Sequence, residues 1–373
     1  MIDLRPNCVA QFKMNDNAAN PWVVGLNGVP TELVTDGSFE DNDPAWTWGT
    51  GWVRAYPPWK AKFSGSDVGY LEQDIEAIQG QKYLVVFKIL NNTAPVQTIT
   101  PYVGGQAGTG VTSLGFHFEV ITAADSSGIL KFRGSGSGGT STSIDNIFCI
   151  CLDDYPLTGV FSDAAGNPFT SAHSVAGKIN TALEFDGSDD YIEVFDEGAL
   201  EFPNDTDDFS IAIWFKPGSL GVTDYLLDKR DAANDGWRLY IYSDNRIVFQ
   251  LAGVPGGAYV ISNAITDVNW HLIVVVIDRD GNGQIYIDNV ASGNPANVSG
   301  KPMSIANNLF IGSSYYGNDL FTGKMDVTAF FDKAFSEEEI AFLWNEGEGR
   351  ENLNIARPLV GGSLAAGRRG LAG

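Results

Sequence analysis

Apolar and polar residues alternate along this chain in short stretches that are separated by turn-forming residues. In the clearest stretch, Leu183 and Phe185 alternate with polar residues, the turn sequence DGSDD follows at 186–190, and strand-type residues resume at Tyr191. A period of two is typical of half-buried strands, and such a turn between two of them indicates a hairpin. The pattern therefore predicts a hairpin at 183–194, with further strands packed around it.

Two other patterns complete the prediction of secondary structure. Residues 209–216 and 270–278 are apolar runs rich in Ile, Val, Trp and Phe, which is typical of central strands. The segment SEEEIAFLWN at 336–345 predicts the one helix, because its first serine and Glu339 form a capping box and Gly347 follows as a stop signal. An all-β chain with one short C-terminal helix is expected.

Several longer motifs arrive in an order that identifies a family resemblance. They are AGKINTALEFDGSDDYIEV, FSIAIWFKPG at 209–218, NWHLIVVVIDRDGNGQIYIDN at 269–289, and the segment at 307–347 that ends in FLWNEG. Together they resemble a laminin-G-like domain of the concanavalin A-like lectin/glucanase superfamily, over about half of the chain. The resemblance implies a two-sheet antiparallel jelly roll. It leaves the function open, because this fold hosts lectins, adhesion modules, spacers and glycanases.

The resemblance is interrupted near the N-terminus. Residues 8–17 resemble the opening strand of the same family, but the pattern stops after Gly28 and resumes only at Pro156. We infer that a second domain is inserted in a surface loop of the first, where insertions are tolerated. The predicted division is 1–30 with 153–350 for the split domain, 31–152 for the inserted domain, and 351–373 for a glycine-rich tail that its composition predicts to be disordered without a partner.

The inserted region resembles a jelly-roll carbohydrate-binding module of the kind appended to bacterial glycanases. The resemblance is carried by DGSFE at its start, a tryptophan-rich segment, GQKYLVVF in the middle and SIDNIF at its end. The predicted fold class is thus two antiparallel β-sandwich (jelly-roll) domains, one inserted in the other. The expected partner is a cell-surface or extracellular polysaccharide.

Composition and charge exclude several classes of partner. With 44% hydrophobic and 12% aromatic residues the chain can build packed cores, while 23 basic against 46 acidic residues give a formal charge of −23. Such a charge repels nucleic acid and anionic membranes. Solubility is favoured over the binding of divalent cations as the explanation of the acidic composition. No apolar run reaches the ~18 residues that insert in a membrane, and no signal-peptide pattern opens the chain.

A group of aromatic residues is the best candidate for sugar binding. An exposed indole or phenol ring stacks on the apolar C–H face of a pyranose. The alternative is that these rings fill the core, which applies most to Trp46 and Trp52, whereas the turn Tyr56-Pro57-Pro58-Trp59 favours the surface. The candidate residues are Trp46, Trp48, Trp52, Tyr56 and Trp59.

A structural calcium ion is implied by the resemblance to carbohydrate-binding modules. Its ligands would be Asp36, Glu40 and Asp145, near the first and last strands of the inserted region, with backbone oxygens completing the six to eight that calcium needs. The alternative is that these are ordinary turn and edge residues. The DRDGNG sequence at 278–283 mimics an EF-hand loop but lacks the closing Glu, so a hairpin turn is predicted there.

Catalytic patterns are missing from the sequence. No E-x-D-x-x-E spacing occurs, His117, His173 and His271 form no metal-binding pattern, and there is no G-x-S-x-G. We therefore expect a non-enzymatic glycan-binding or adhesion protein, used as a phage virion component (tail, fibre or capsid decoration) that leaves the cell by lysis. Its tail would bind other virion or assembly subunits. The alternatives are a purely structural assembly subunit and a glycan-degrading enzyme.

Overall fold

The computed structural model of the 373-residue chain shows an all-β protein, and the description below concerns only the residues whose structure it describes. These residues are 4, 8–12, 23–24, 33–40, 45–56, 58–65, 68–92, 97–136, 141–152, 158–162, 173–195, 200, 207–231, 233–251, 257–301, 307–315, 319–350 and 353.

The strands fall into three groups along the chain. The N-terminal group is β1 (Cys8–Phe12) and β2 (Val23–Val24). The middle group is β3 (Thr47–Trp48), β4 (Trp52–Ala55), β5 (Lys60–Phe63), β6 (Gly69–Ala77), β7 (Lys82–Asn92), β8 (Thr98–Val103), β9 (Gln106–Ala107), β10 (Gly115–Thr122), β11 (Gly128–Ser135) and β12 (Thr142–Cys151). The third group is β13 (Thr158–Ser162), β14 (Ser174–Ala176), β15 (Thr181–Asp186), β16 (Tyr191–Phe195), β17 (Phe209–Pro217), β18 (Asp224–Arg230), β19 (Gly236–Ile241), β20 (Arg246–Leu251), β21 (Ala258–Ala264), β22 (His271–Ile277), β23 (Asn282–Ile287), β24 (Val290–Asn297), β25 (Leu309–Ile311) and β26 (Thr322–Phe331), followed by the helix α1 (Glu337–Trp344).

Strands of the first and third groups form two facing sheets. Sheet I has the order β14-β15-β26-β17-β22-β23-β24, and β1 also pairs with β26. Sheet II has the order β21-β20-β19-β18-β25-β16-β13-β2, and β21 meets β24 of sheet I at one pair, Ile261 with Asn294. Side chains such as Phe185, Phe209 and Phe249 fill the core between the sheets. All these pairings are antiparallel, as expected for a jelly roll.

Strands of the middle group form a second sandwich of two five-stranded sheets. Sheet III has the order β10-β7-β12-β5-β4, and sheet IV has the order β3-β6-β11-β8-β9. The period-two pattern explains the packing: along β6 every second residue from Gly69 to Ala77 is buried, and the residues between them are more exposed. Leu71, Phe87 and Phe132 meet in the core between the sheets. The predicted fold class, antiparallel sandwiches with a short C-terminal helix, is confirmed.

The pairing of β1 and β2 supports the proposed insertion. β1 pairs with β26 over Cys8 to Phe12, and β2 pairs with β13 through Val23 and Val24, so both join sheets built by the third group. Strands β3 to β12 pair only among themselves among the described residues. The domain boundaries stay a prediction, which these pairings support.

The two apolar runs are central strands that are covered on both faces. In β17, Ile211 and Ile213 point into the core with sheet II, while Ala212 and Trp214 point to the other face of sheet I. Helix α1 covers that other face, where Trp344 stacks on Trp214 with ring centroids 5.4 Å apart. Burial on both faces is the reason that these strands lack alternation.

The predicted hairpin at 183–194 is wrong. Both strands exist, but β15 pairs with β14 and β26 in sheet I, whereas β16 pairs with β13 and β25 in sheet II. The turn between them therefore carries the chain from one sheet to the other. Gly187 adopts φ 75°, and the Asp190 carboxylate accepts a hydrogen bond from the Asp186 N–H at 2.9 Å, which closes the corner. Alternation predicts strands but not which strands pair. The hairpin predicted at 278–283 is confirmed, because β22 and β23 pair directly.

Helix α1 lies in the predicted segment 336–345, with Ser336 as its N-cap and Asn345 as its C-cap. Ser336 caps it and forms the capping box with Glu339. Asn345, in the left-handed conformation at φ 51°, ends the helix two residues before Gly347. No described helix has the length and apolarity needed to span a bilayer. The predicted tail 351–373 lies outside the described residues except for Leu353, whose carbonyl accepts a hydrogen bond from the Leu4 N–H.

Removing the Ser336 hydroxyl should weaken the cover over sheet I. We expect Ser336→Ala to lower the free energy of unfolding by about 1 kcal/mol, because the hydroxyl caps the Glu339 N–H. Urea denaturation would measure this. Glu338→Ala is the control, since Glu338 is exposed in the same turn and its loss should cost only a few tenths of a kcal/mol. Equal losses for the two variants would contradict the capping role.

Candidate functional site

The candidate sugar-binding aromatics are divided between two places, the hairpin formed by β4 and β5 at the edge of sheet III, and β3 of sheet IV with the residue before it. The two strands pair from Trp52 with Phe63 to Ala55 with Lys60, so Tyr56 and Trp59 lie in the connection directly beyond the last pair. Tyr56 is 67% exposed and Trp59 is 37% exposed. Pro57 lies outside the described residues. The connection therefore presents two aromatic rings to solvent.

The other candidate tryptophans face inward. Trp46 and Trp52 are buried in the core between sheets III and IV, and Trp48 is partly buried against it. Trp52 packs on Phe63 with ring centroids 5.3 Å apart, and the Trp46 indole N–H donates to the Asp36 carbonyl at 3.0 Å. The rings of Trp46 and Trp52 therefore belong to the core, whereas Trp48 keeps part of its surface exposed.

Tyr56 and Trp59 form one continuous platform, which Arg54 holds in place. The ring centroids of Tyr56 and Trp59 lie 4.8 Å apart at 50°. The Arg54 guanidinium lies 3.9 Å from the Trp59 ring centroid, within the range of a cation–π contact. Arg54 also donates to the Phe39 carbonyl and, at 2.6 Å, to the Glu40 carbonyl. The indole is thus fixed before any ligand arrives, which lowers the entropy lost on binding.

Asp36, Glu40 and Asp145 lie in neighbouring parts of sheet III and the loop that precedes it. The Ile147 N–H donates to the Gly37 carbonyl at 3.0 Å, which ties this loop to β12. Burial raises the pKa of Asp145 to about 6, against the lowering effect of the Asn146 N–H, and the charge of Glu40 raises it further. A like charge close to a buried carboxyl group is one of the features that a cation would relieve.

Other features of this place do not fit a calcium ion. The three side chains are not among the described groups whose ligand atoms lie within 4.8 Å of one another. The carbonyls of Phe39 and Glu40 accept hydrogen bonds from the cationic Arg54, and Lys88 and Lys60 lie close enough to lower the pKa of Asp145. Calcium needs six to eight free oxygens. Among the described residues, the carbonyls bound by Arg54 are not free for an ion, and calcium at this site stays a prediction.

A cleft of about 470 Å³ at one end of strands β15, β26 and β17 of sheet I was not predicted. Charged side chains line it from β15, β17 and β26, and the corner between β15 and β16 closes one end. The Asp190 carboxylate lies 3.5 Å from the His173 imidazole, and burial raises the pKa of Asp190. The charged lining residues are His173, Glu184, Asp186, Asp190, Lys216 and Lys324.

The corner beside this cleft holds three carboxylates. The ligand atoms of Asp186, Asp189 and Asp190 all lie within 4.8 Å of one another. Two of the carboxylates already bind the backbone of the turn: Asp186 accepts from the Ser188 N–H, and Asp190 accepts from the Asp186 N–H. The corner's own hydrogen bonds therefore explain the cluster. With Glu184 the cluster forms an E-x-D-x-x-D spacing, which differs in one residue from the glycanase pattern sought in the sequence.

A second aromatic pair, on the outer face of sheet IV, was also missed. Tyr70 and Tyr102 meet edge to face with ring centroids 6.4 Å apart, and the Lys131 ammonium lies 5.5 Å and 5.8 Å from their centroids. Tyr70 is 37% exposed. The alternation of GYLEQDI puts Tyr70 and Leu71 on opposite faces, so the sequence contained a signal for this outward ring.

With this geometry established, comparison with known families gives one match. Residues 186–341 match a laminin-G family model described as the concanavalin A-like lectin/glucanases superfamily. This part of the chain, which is less than half of it, is thus similar to that superfamily. The match confirms the laminin-G-like resemblance, and it begins at the corner between the two sheets and ends inside helix α1.

Comparison with solved structures gives distant similarities. The binding domain of paraclostridial mosquitocidal protein 1 has a TM-score of 0.40 at 16% identity, over 47% of this chain and 45% of that one. The receptor-binding domain of botulinum neurotoxin C/D mosaic serotype has a TM-score of 0.39 at 14% identity, over 46% and 44%. The binding domain of botulinum neurotoxin DC in complex with rat synaptotagmin II has 0.40 at 14%, over 52% and 48%. The chain thus spans about half the length of these structures, and no curated protein matches it.

The raised pKa of Asp145 predicts how stability depends on pH. Because the pKa in the folded state, about 6, exceeds the usual 3.8, this group lowers the stability as pH rises from about 4 through 6. Asp145→Asn removes the effect, and without calcium we expect it to stabilise the protein by about 1 to 2 kcal/mol at pH 7.5, after allowance for solvent screening. The gain should vanish near pH 4. Denaturant unfolding in chelator at both pH values would measure it.

The same variant tests the predicted calcium. If Asp145 is a ligand, millimolar calcium should raise the melting temperature of the wild type, and Asp145→Asn should abolish the shift. Asp186→Asn is the matched control, because it removes one carboxylate from the corner of sheets I and II. A calcium shift that survives Asp145→Asn would contradict a site at Asp145.

Proposed function

We propose that this protein is a non-enzymatic glycan-binding protein, in which Tyr56 and Trp59 form the contact with polysaccharide. The observation that carries the proposal is the exposed ring pair beside Arg54 on the β4–β5 hairpin. The lectin-like fold of residues 186–341 supports a binding role for the chain as a whole.

The chemistry of the platform suits a sugar. Two tilted rings, 4.8 Å between centroids, offer apolar surface to the C–H faces of one or two pyranose units. The rings belong to a paired hairpin, so little order must be created on binding. A site of this size binds weakly, and copies displayed on a particle would gain avidity by multivalency. The predicted virion setting fits this requirement and remains a proposal from the sequence.

One observation favours the glycan-degrading alternative, namely the carboxylate-lined cleft of sheet I. Glycanases use two carboxyl groups roughly 5 to 10 Å apart, one of them with a raised pKa. Asp186 and Asp190 lie close together and the pKa of Asp190 is raised, but both carboxylates accept hydrogen bonds from their own turn. Reducing sugar released from a glycan that the protein binds, and lost in Asp190→Asn, would establish this alternative instead.

Replacing either aromatic side chain by alanine should weaken glycan binding. We expect Trp59→Ala and Tyr56→Ala each to lower the affinity for the best ligand on a glycan array by about tenfold or more, because a stacked ring contributes roughly 1 to 2 kcal/mol. Titration calorimetry with that glycan would measure the change.

The control variant for these two substitutions should lose a similarly exposed apolar side chain at another place in the same sandwich. Leu114→Ala does so, since Leu114 is 61% exposed between β9 and β10, and it should bind as the wild type does. If the wild type binds no glycan, or if all three variants lose affinity equally, the platform is not a sugar site and the structural-subunit alternative gains.

A further inference from the structure

A patch of polar and aromatic residues covers the outer face of sheet II, opposite to the core. Strand register places its members in two rows across β18, β19, β20 and β21. The first row is Tyr225, Tyr240, Val248 and Ile261, and the second is Asp228, Arg238, Gln250 and Tyr259. The residues between them, such as Trp237, Leu239 and Phe249, point into the core, so alternation directs these rows outward.

Arg238 lies at the centre of this patch and is held from three sides. Its Nε donates to the Gln250 Oε1 and its Nη1 donates to the Tyr225 hydroxyl, both at 2.6 Å. The guanidinium lies 4.8 Å from the Tyr240 ring centroid and 5.5 Å from that of Tyr225. These contacts fix the plane of the guanidinium while the side chain stays half-buried.

Among the described residues, the positive charge of Arg238 has no carboxylate partner. Its cross-strand neighbour Asp228 is fully buried and binds Arg230 instead, with oxygen to nitrogen distances of 2.8 Å and 2.5 Å, and also accepts from the Tyr315 N–H. Across the described part of the chain, Arg238 makes no ion pair and its Nη2 makes no hydrogen bond. A guanidinium that is partly withdrawn from water and unpaired is unusual, because such groups are normally paired.

Two tyrosine hydroxyls beside Arg238 also have hydrogen atoms to donate. The Tyr225 hydroxyl accepts from Arg238, so its own hydrogen is not used in that bond. The Tyr240 ring stacks on Tyr225 with centroids 5.3 Å apart, and its hydroxyl has no hydrogen-bond partner among the described residues. Burial raises the pKa of both tyrosines, so both stay protonated at neutral pH. Nη2 and the two hydroxyls make this a site rich in donors.

We propose that this patch is a second binding site, selective for sugars that carry a carboxylate, such as uronic acids. The carboxylate would pair with the free edge of Arg238 and accept from a tyrosine hydroxyl, because guanidinium and carboxylate groups match in plane and spacing. Tyr259, which is 40% exposed and lies next to Gln250, would contact the sugar ring. This site is independent of the Tyr56 and Trp59 platform.

The overall charge of the chain is compatible with an acidic ligand at this place. The formal charge of −23 repels anions at long range, but the Debye length is about 8 Å at physiological ionic strength, so distant carboxylates are screened. At contact distance the pairing with Arg238 dominates. The preference for a sugar that carries a carboxylate therefore depends on the side chain of Arg238.

The test uses tetragalacturonate and its fully methyl-esterified form as probes of the full-length chain. The two differ only in the free carboxylates. We expect the acid to bind in titration calorimetry and the ester to bind at least about tenfold more weakly, because the ester cannot form the ionic pair. Arg238→Gln should reduce acid binding to the level of the ester, and Arg238→Lys should restore only part of it, since lysine lacks the planar fork.

Three further variants keep the result interpretable. Arg246→Gln removes the same charge from the neighbouring strand β20, where the exposed Arg246 pairs with Asp244, and should leave acid binding unchanged. Tyr240→Phe keeps the stacked ring and should weaken acid binding even if Arg238→Gln lowers the melting temperature. Trp59→Ala should retain acid binding. Equal binding of acid and ester, or loss in Trp59→Ala with retention in Arg238→Gln, would overturn the proposal and leave the platform as the sugar site.

Discussion

The fold depends on the burial of sheet I on both of its faces. Strands β17, β22 and β26 send alternate side chains to the core with sheet II and to the cover made by helix α1. Burial of apolar area at roughly 25 cal/mol per Å² is the main stabilising contribution in such a structure. Because both neighbours of sheet I are needed for this burial, the helix is part of the sandwich core and not an appendage.

Burial of sheet I also decides where binding surfaces can lie. Sheet II closes one face of sheet I and α1 packs on the other, while the charged cleft lies at one end of β15, β26 and β17. In the described part of the chain no helix packs on the outer face of sheet II, whose outward residues include Arg238 and Tyr259. In the sandwich of sheets III and IV, the open positions are the β4–β5 hairpin at one edge and the tyrosine pair on sheet IV. Aromatic rings and cationic side chains meet at all three of these places.

Each of these cation–aromatic contacts joins residues whose positions in the sequence do not predict that they are in contact. Arg54 reaches Trp59 because β4 and β5 fold back on each other. Arg238 lies between Tyr225 and Gln250 because β18, β19 and β20 are adjacent in sheet II. A cation over an aromatic ring is stabilised when water is partly excluded, and the sheets provide that exclusion. The pairing of strands is thus what converts single residues into sites.

From the sequence alone one could predict the kind of elements, the family of residues 186–341, the capping of α1 by Ser336, and the exposed turn with Tyr56 and Trp59. These features follow from local periodicity, capping chemistry and turn residues, which act over a few positions. Only the tertiary structure decided that β15 and β16 lie in different sheets and that Trp46 and Trp52 face inward. It also decided that Asp228 pairs with Arg230 and not with its cross-strand neighbour Arg238. The reason is physical: alternation determines which side chains share a face of a strand, whereas the partner of that strand depends on contacts between distant parts of the chain.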